Sequence, residues 1–170
     1  MSQSLVITLI GDDRPGIVES ISRVIVEHGG EWVESRMANL GGKFAGILRV
    51  NLPEDQSESF MQKLKSTSDG LEIHVEQVRD DAAEAGGQCY KLELVGQDRP
   101  GIIHRISSLL VNHGATVEEL DSEVVEASMS GEKLFKANIT LCLAGGHSED
   151  ELREVLEDLA NELIVDIELG

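Results

Sequence analysis

The chain contains an internal repeat, and this feature limits its fold more than any other. Residues 11–17 (GDDRPGI) recur as residues 96–102 (GQDRPGI), at a spacing of 85. Between residues 5–29 and residues 90–114, 12 of 25 positions are identical. A match of this length at a fixed spacing indicates two copies of one structural unit. Each unit must therefore fold within about half of the 170 residues.

The spacing between the copies changes once, from 85 to 91, so that Phe44 matches Phe135. The second copy therefore has about six extra residues, which we place within 122–133. Two interpretations of this insertion stay open. One is a longer hairpin, and the other is a segment that contacts a partner or closes over a ligand.

The join between the copies is residues 80–87 (DDAAEAGG). Small, acidic and glycine-rich segments of this kind are typical of solvated linkers. The composition therefore predicts two domains, 1–79 and 88–170, joined by 80–87.

The hydrophobic pattern within each copy predicts six elements in the order β-α-β-β-α-β. Alternating apolar residues indicate strands, and apolar residues at i, i+4, i+7 and i+8 indicate helices. This order is that of a ferredoxin-like α+β fold, in which two helices cover one face of an antiparallel sheet. The predicted strands of the first copy are 5–10, 32–39, 43–52 and 71–75, and its helices are 15–28 and 56–66. For the second copy we expect strands at 90–95 and 163–167 and a helix at 149–159.

The face of the sheet away from the helices is unusually apolar in the first copy. It carries Val6, Thr8, Ile10 and Ile47. An exposed apolar face indicates a contact surface. This is consistent with packing on the other copy or with a homodimer.

The charge excludes several classes of protein. Against 32 acidic residues there are 14 basic ones, which gives a net charge of −18. Direct binding to nucleic acid or to an anionic membrane depends on Lys and Arg, so neither is expected. No apolar run approaches the roughly 18 residues of a membrane span, and the first ten residues do not resemble a signal peptide. We expect a cytoplasmic protein.

The sequence contains no motif that points to catalysis or to a metal. It has none of the nucleophile, metalloprotease or phosphate-loop patterns, so we expect neither an enzyme nor a cofactor. The two cysteines, Cys89 and Cys142, have no metal-ligand spacing. We interpret them as buried free thiols in a reducing compartment.

The repeated motif resembles the ACT domain, a regulatory module that senses small molecules. In both copies a strand is followed by Gly-x-Asp-Arg-Pro-Gly-Ile and then by an amphipathic helix that ends at glycine. Two such units with no other domain are similar to the glycine cleavage system transcriptional repressor family. The resemblance implies two tandem ferredoxin-like βαββαβ domains.

The resemblance also implies a function, which is that of a non-enzymatic sensor. Such a protein would bind glycine or a similar small amino acid such as serine. It would repress the glycine cleavage operon indirectly, through contact with a transcription activator. Two alternatives stay open: a free-standing ACT regulatory subunit of an amino-acid metabolic enzyme, and a scaffold without a ligand.

The loop before the first helix of each copy has the chemistry to bind an α-amino acid. The first amides of a helix lack intrahelical partners and attract a carboxylate, while Asp13 or Asp98 can accept a hydrogen bond from an ammonium group. The alternative is that these aspartates only cap the helix. The candidate ligand-binding residues of the loop and helix start are Gly11, Asp13, Gly16, Ile17 and Val18, and in the second copy Gly96, Asp98, Gly101, Ile102 and Ile103.

The ACT resemblance adds the start of the second strand to this candidate site. The matching residues are Glu31 in the first copy and Thr116 in the second. Glu31 would repel the carboxylate of a ligand, whereas Thr116 carries no charge. The second copy is therefore the better candidate.

Overall fold

A computed structural model of the chain describes residues 1–78 and 87–170. The chain divides into two compact units, Met1–Ala82 and Ala83–Gly170. The predicted linker at 80–87 lies, apart from Gly87, outside the described residues. Within the described ranges, no helix is long and apolar enough to cross a membrane.

The first unit has four strands and two helices in the predicted order. Its strands form one antiparallel sheet with the spatial order β2-β3-β1-β4. A short 3₁₀ turn, Glu54–Gln56, precedes the second helix. The elements are β1 (Ser2–Asp12), α1 (Ile17–Glu27), β2 (Glu31–Leu40), β3 (Lys43–Pro53), α2 (Ser57–Thr67) and β4 (Leu71–Gln77).

The second unit repeats this arrangement, and its sheet order is β6-β7-β5-β8. All of its strand pairs are antiparallel. The predicted fold class, two tandem βαββαβ units, is confirmed. The elements are β5 (Cys89–Gln97), α3 (Ile102–Asn112), β6 (Ala115–Glu126), β7 (Lys133–Leu143), α4 (Glu149–Leu163) and β8 (Val165–Leu169).

The helices of each unit lie on one face of its sheet, because their buried side chains share a core with alternate strand residues. In the first unit, Ile7 of β1, Ile21 of α1 and Phe60 of α2 belong to one cluster. In the second unit, Leu92 and Ile106 belong to the corresponding cluster. Alternation along a strand directs the remaining side chains to the opposite, open face of the sheet.

The open faces of the two units differ in character. In the first unit, Thr8 of β1 pairs with Ile47 of β3, and both Ile10 and Ile47 are about half exposed, at 49% and 47%. In the second unit, the central pairs on this face are polar, for example Lys91 with Thr140. The exposed apolar surface is thus a feature of the first unit.

The six extra residues of the second copy lengthen one hairpin. In the first unit Leu40 pairs with Lys43 across a two-glycine turn. In the second unit the last pair is Glu126 with Lys133, and a six-residue loop at 127–132 joins them. The hairpin interpretation of the insertion is therefore correct. A role of this loop in contacting a partner stays a prediction.

The expectation of two free thiols is wrong. Cys89 on β5 and Cys142 on β7 lie directly opposite each other and form a disulfide, although 53 residues separate them in sequence. The strand register brings them together, and this register could not be derived from the cysteine spacing.

A hydrogen-bonded network joins three elements of the second unit. The Glu149 carboxylate accepts hydrogen bonds from the Tyr90 hydroxyl at 3.0 Å and from Arg153 Nη2 at 2.8 Å. Arg153 Nη1 donates to the carbonyl oxygen of Leu169 at 2.9 Å. The network links β5, α4 and the end of β8.

This network makes the stability of the second unit dependent on pH. The hydrogen bond from Arg153, followed by that from Tyr90, lowers the pKa of Glu149 below its usual value. A lowered folded-state pKa gives stability that is present above the unfolded-state pKa and is lost as pH falls through the folded-state pKa. We expect the wild type to lose more unfolding free energy than Glu149→Gln between about pH 6 and about pH 3. Urea titrations of both proteins across this range measure the difference, and parallel curves would contradict it.

Candidate functional site

The loops at 11–16 and 96–101 connect the end of a central strand to the start of a helix in each unit. The first intrahelical bond of α1 runs from the amide of Ser20 to the carbonyl oxygen of Gly16, at 2.9 Å. The first intrahelical bond of α3 runs from the amide of Arg105 to the carbonyl oxygen of Gly101, at 3.0 Å. At the start of α3 the Ile102 amide donates to the carbonyl oxygen of Arg99, at 3.4 Å. The other amides that precede these bonds, such as those of Ile103 and His104, have no partner within the helix. The side chains of Ile17 and Ile102 are buried, so these two residues can offer a ligand only their backbone.

The helices α1 and α3 are each preceded by a glycine in the left-handed conformation. Gly16 has a φ of 87° and Gly101 a φ of 80°, and each is the N-cap residue. The capping interpretation of Asp13 and Asp98 is therefore wrong, because both lie three residues before the N-cap. The predicted helix start at residue 15 is also two residues early, since the chain cannot be helical until it has passed the left-handed glycine.

Gly11 and Gly96 serve the packing of the sheet. A Cβ atom on Gly11 would lie 2.6 Å from the carbonyl oxygen of Gly70. A Cβ atom on Gly96 would lie 2.1 Å from Cγ1 of Val165. In both units, the missing side chain leaves room for the last strand of the sheet. These two glycines are therefore explained without a ligand.

The two aspartates of the loops differ in their surroundings. The backbone amides of both are bound to the facing hairpin, Asp13 to Gly42 and Asp98 to Lys133, each at 3.0 Å. The Asp13 carboxylate also accepts a hydrogen bond from Asn39 Nδ2. The residue of the second unit that matches Asn39 is Val124. Asn39 pairs with Phe44 and Val124 pairs with Phe135, and the repeat matches these two phenylalanines to each other.

Valine cannot donate a hydrogen bond, so Asp98 receives none from this position. Among the residues that the structure describes, the Asp98 carboxylate has no hydrogen-bond partner. It is also exposed to solvent. The Asp98 carboxylate is therefore not engaged by the described residues, while the Asp13 carboxylate is engaged by its own hairpin.

The first turns of α1 and α3 also differ in their acidic residues. The first turn of α1 contains Glu19, whereas the first turn of α3 contains no acidic residue. The residue of α3 that matches Glu19 is His104. A carboxylate in the first turn repels an anionic ligand. The first turn of α3 thus carries less negative charge than that of α1.

The residue next to each loop aspartate differs as well. In the first unit, Asp12 forms an ion pair with Lys43. The hydrogen bond and charge of Lys43 lower the pKa of the Asp12 carboxyl. In the second unit, the same strand pair is Gln97 with Leu134. The second loop therefore carries one carboxylate fewer near the helix start.

Glu31 and Thr116 lie at the other end of the sheet from these loops. Glu31 pairs with Asn51, which pairs with Ser4, eight residues before Asp12 on β1. At about 3.3 Å per residue this places Glu31 about 25 Å from the loop. The register places Thr116 at the matching end of the second sheet, beside Cys142. Neither unit brings its strand start and its loop into one site.

Two pairs of residues that distinguish the two loops were not identified from the sequence. They are Asn39 with its counterpart Val124, and Glu19 with its counterpart His104. The signal for Glu19 and His104 was present, because the repeat spacing of 85 aligns them directly. No such signal exists for Asn39, since its contact with Asp13 depends on how the hairpin folds against the loop.

No group of three or more potential metal ligands is present among the described residues.

Comparison with known proteins gives a family match for the first unit and similar folds among solved structures. The family model of the ACT domain matches residues 3–77. The chain is similar to a crystal structure of a protein of unknown function from Galdieria sulphuraria, with 29% sequence identity and a TM-score of 0.88. That match covers 100% of this chain and 98% of the other.

A second crystal structure, of a candidate glycine cleavage system transcriptional repressor, is 20% identical and has a TM-score of 0.68. It covers 100% of this chain and 97% of the other, and at this identity it supports the fold alone. No curated protein matches the chain. The first unit of this chain thus matches the ACT domain family model, and the second unit has the same fold as the first.

Proposed function

We propose that this protein is a non-enzymatic regulator that senses a small amino acid through its second unit. The observation that carries this proposal is the Asp98 carboxylate, which has no hydrogen-bond partner among the described residues and precedes a helix start without an acidic residue in its first turn. A carboxylate subsite at the helix amides and an ammonium subsite at Asp98 together fit an α-amino acid. The first unit then serves as a scaffold, because its own residues engage Asp13 and place Glu19 at the helix start.

The effector and the partner follow from the family resemblance and from the structural neighbour. The neighbour that covers the whole chain is a candidate repressor of the glycine cleavage system. We infer that glycine or serine is the effector and that the partner is a transcription activator. The net charge of −18 supports an indirect mechanism, since a direct DNA contact requires a basic surface. For regulation, the ligand must bind the partner-competent and partner-incompetent states with different affinity.

A matched pair of variants tests the assignment of the ligand site. We expect Asp98→Ala to weaken binding of the amino acid roughly 10- to 100-fold, because a hydrogen bond to a charged group is lost. We expect Asp13→Ala to bind as the wild type does. Isothermal calorimetry against the twenty common amino acids measures both affinities, after circular dichroism has shown that each variant is folded. Equal losses in the two variants, or a loss in Asp13→Ala alone, would contradict the assignment to the second unit.

A further inference from the structure

The disulfide of the second unit joins two central strands at a position where the strands are not joined by hydrogen bonds. The next pair along these strands, Gln88 and Leu143, is hydrogen-bonded, with the Leu143 amide 3.0 Å from the Gln88 carbonyl oxygen. Narrow and wide pairs alternate along antiparallel strands, so Cys89 and Cys142 form a non-hydrogen-bonded pair. Their Cα atoms are 4.0 Å apart. At this position the sulfur atoms alone join the two strands.

The first unit shows that the fold does not require this bond. The repeat spacings of 85 and 91 match Cys89 to Ser4 and Cys142 to Asn51. Ser4 and Asn51 are themselves a strand pair in the first sheet. The same six elements therefore form with serine and asparagine at these two positions. The disulfide is an addition to the ACT fold and not one of its structural requirements.

The two cysteine residues differ in their exposure to solvent. Cys89 is the first residue of β5 and is exposed. Its Sγ lies 3.9 Å from the carbonyl oxygen of Gly87. Cys142 is buried, with 6% of its surface exposed. Because Cys89 is the exposed residue of the pair, we take its sulfur as the point of attack for an external thiolate and the Cys142 sulfur as the leaving group.

We propose that Cys89 and Cys142 are a reversible redox modification site, opened by a dithiol reductant while the second unit stays folded. One thiolate of the reductant attacks Cys89 Sγ, and Cys142 leaves as a thiolate that takes up a proton. The second thiol of the reductant then attacks the mixed disulfide and releases Cys89 as a thiol. The protein gains two electrons and two protons, and the reductant becomes a cyclic disulfide.

Reduction of this disulfide affects the strands around it. Cys142 pairs on its other side with Thr116, at the end of the sheet where β6 begins. The closed bond constrains a loop with a sequence separation of 53 residues, which reduces the freedom of the unfolded chain. Opening the bond therefore destabilises the second unit and loosens the strands beside Thr116.

The experiment uses the full chain and dithiothreitol as the reductant. We expect protein treated with a mild oxidant to show no labelling by a maleimide reagent, and native protein treated with dithiothreitol to be labelled at both cysteines. We also expect reduction to lower the melting temperature of the second unit by about 10 °C or more. Removal of the reductant and re-oxidation should restore the starting value.

The control variant is Cys89→Ser with Cys142→Asn, which copies the residues of the first unit. Its melting temperature should not respond to dithiothreitol. Three results would overturn the proposal: thiols that stay labelled after oxidation, a disulfide that resists dithiothreitol until the protein is denatured, or equal responses of wild type and variant.

Discussion

Replacement of Gly96 by alanine is expected to destabilise the second unit strongly. The new Cβ would lie 2.1 Å from Cγ1, 2.6 Å from Cβ and 3.0 Å from Cα of Val165. The Val165 backbone is fixed by its place in β8, so the strands would have to separate. Overpacking of this kind costs about 3 kcal/mol or more. Chemical denaturation of the full chain, followed by hydrogen exchange of the second unit, measures the loss.

The control for this prediction is Gly145→Ala. A Cβ atom at Gly145 would meet no atom within 4 Å, so its effect should stay within about 0.5 kcal/mol. The double variant Gly96→Ala with Val165→Ala should recover part of the loss, because it removes the nearest contact, Cγ1. These proteins separate two roles for Gly96. If Gly96→Ala folds normally and loses only ligand binding, the glycine serves a ligand and the packing explanation is wrong.

The fold was predictable because the repeat supplied each element twice. In a single helix it can be unclear which face is buried. Here the apolar stripe of α1 recurs at the matching positions of α3, and this recurrence identifies the buried face. Both helices were predicted to end at a glycine, and the residues that precede Gly29 and Gly114, which are His28 and His113, are their C-cap residues. The ring Nδ1 of His28 donates to the Val24 carbonyl oxygen at 2.7 Å. Local sequence was sufficient here because a helix end involves only neighbouring residues.

The candidate site was less predictable because its contacts join distant segments. The hydrogen bond of Asn39 to Asp13 spans 26 residues, and the disulfide spans 53. Both contacts depend on strand register, and a slip of one residue would move every side chain of the strand to the other face of the sheet. The distance of Glu31 from the loop could have been predicted from the fold class. In this fold β1 and β2 run in the same direction, because both are antiparallel to β3. The start of β2 therefore lies beside the start of β1, away from the loop that follows β1.

Replacement of Phe60 by alanine is expected to destabilise the first unit by about 3–5 kcal/mol, because it leaves a large cavity. Phe60 of α2 is fully buried, and its ring contacts that of His28 edge to face, with 5.7 Å between the ring centroids. In a unit of this size, such a loss lowers the melting temperature by roughly 15 °C or more. The control is Val26→Ala, since Val26 is 73% exposed and its truncation leaves no cavity.

The same variant tests whether the amino acid binds to the second unit alone. Hydrogen exchange on the full chain should show faster exchange of the α1 and α2 amides and unchanged protection of those in α3 and α4. Under the proposed function, the affinity for the amino acid should then stay within about twofold of the wild type, because Asp98 and the start of α3 keep their geometry. A loss of affinity that follows the unfolding of the first unit would mean that the first unit contributes to the ligand site. In that case the engagement of Asp13 by Asn39 would be part of ligand recognition and not a barrier to it.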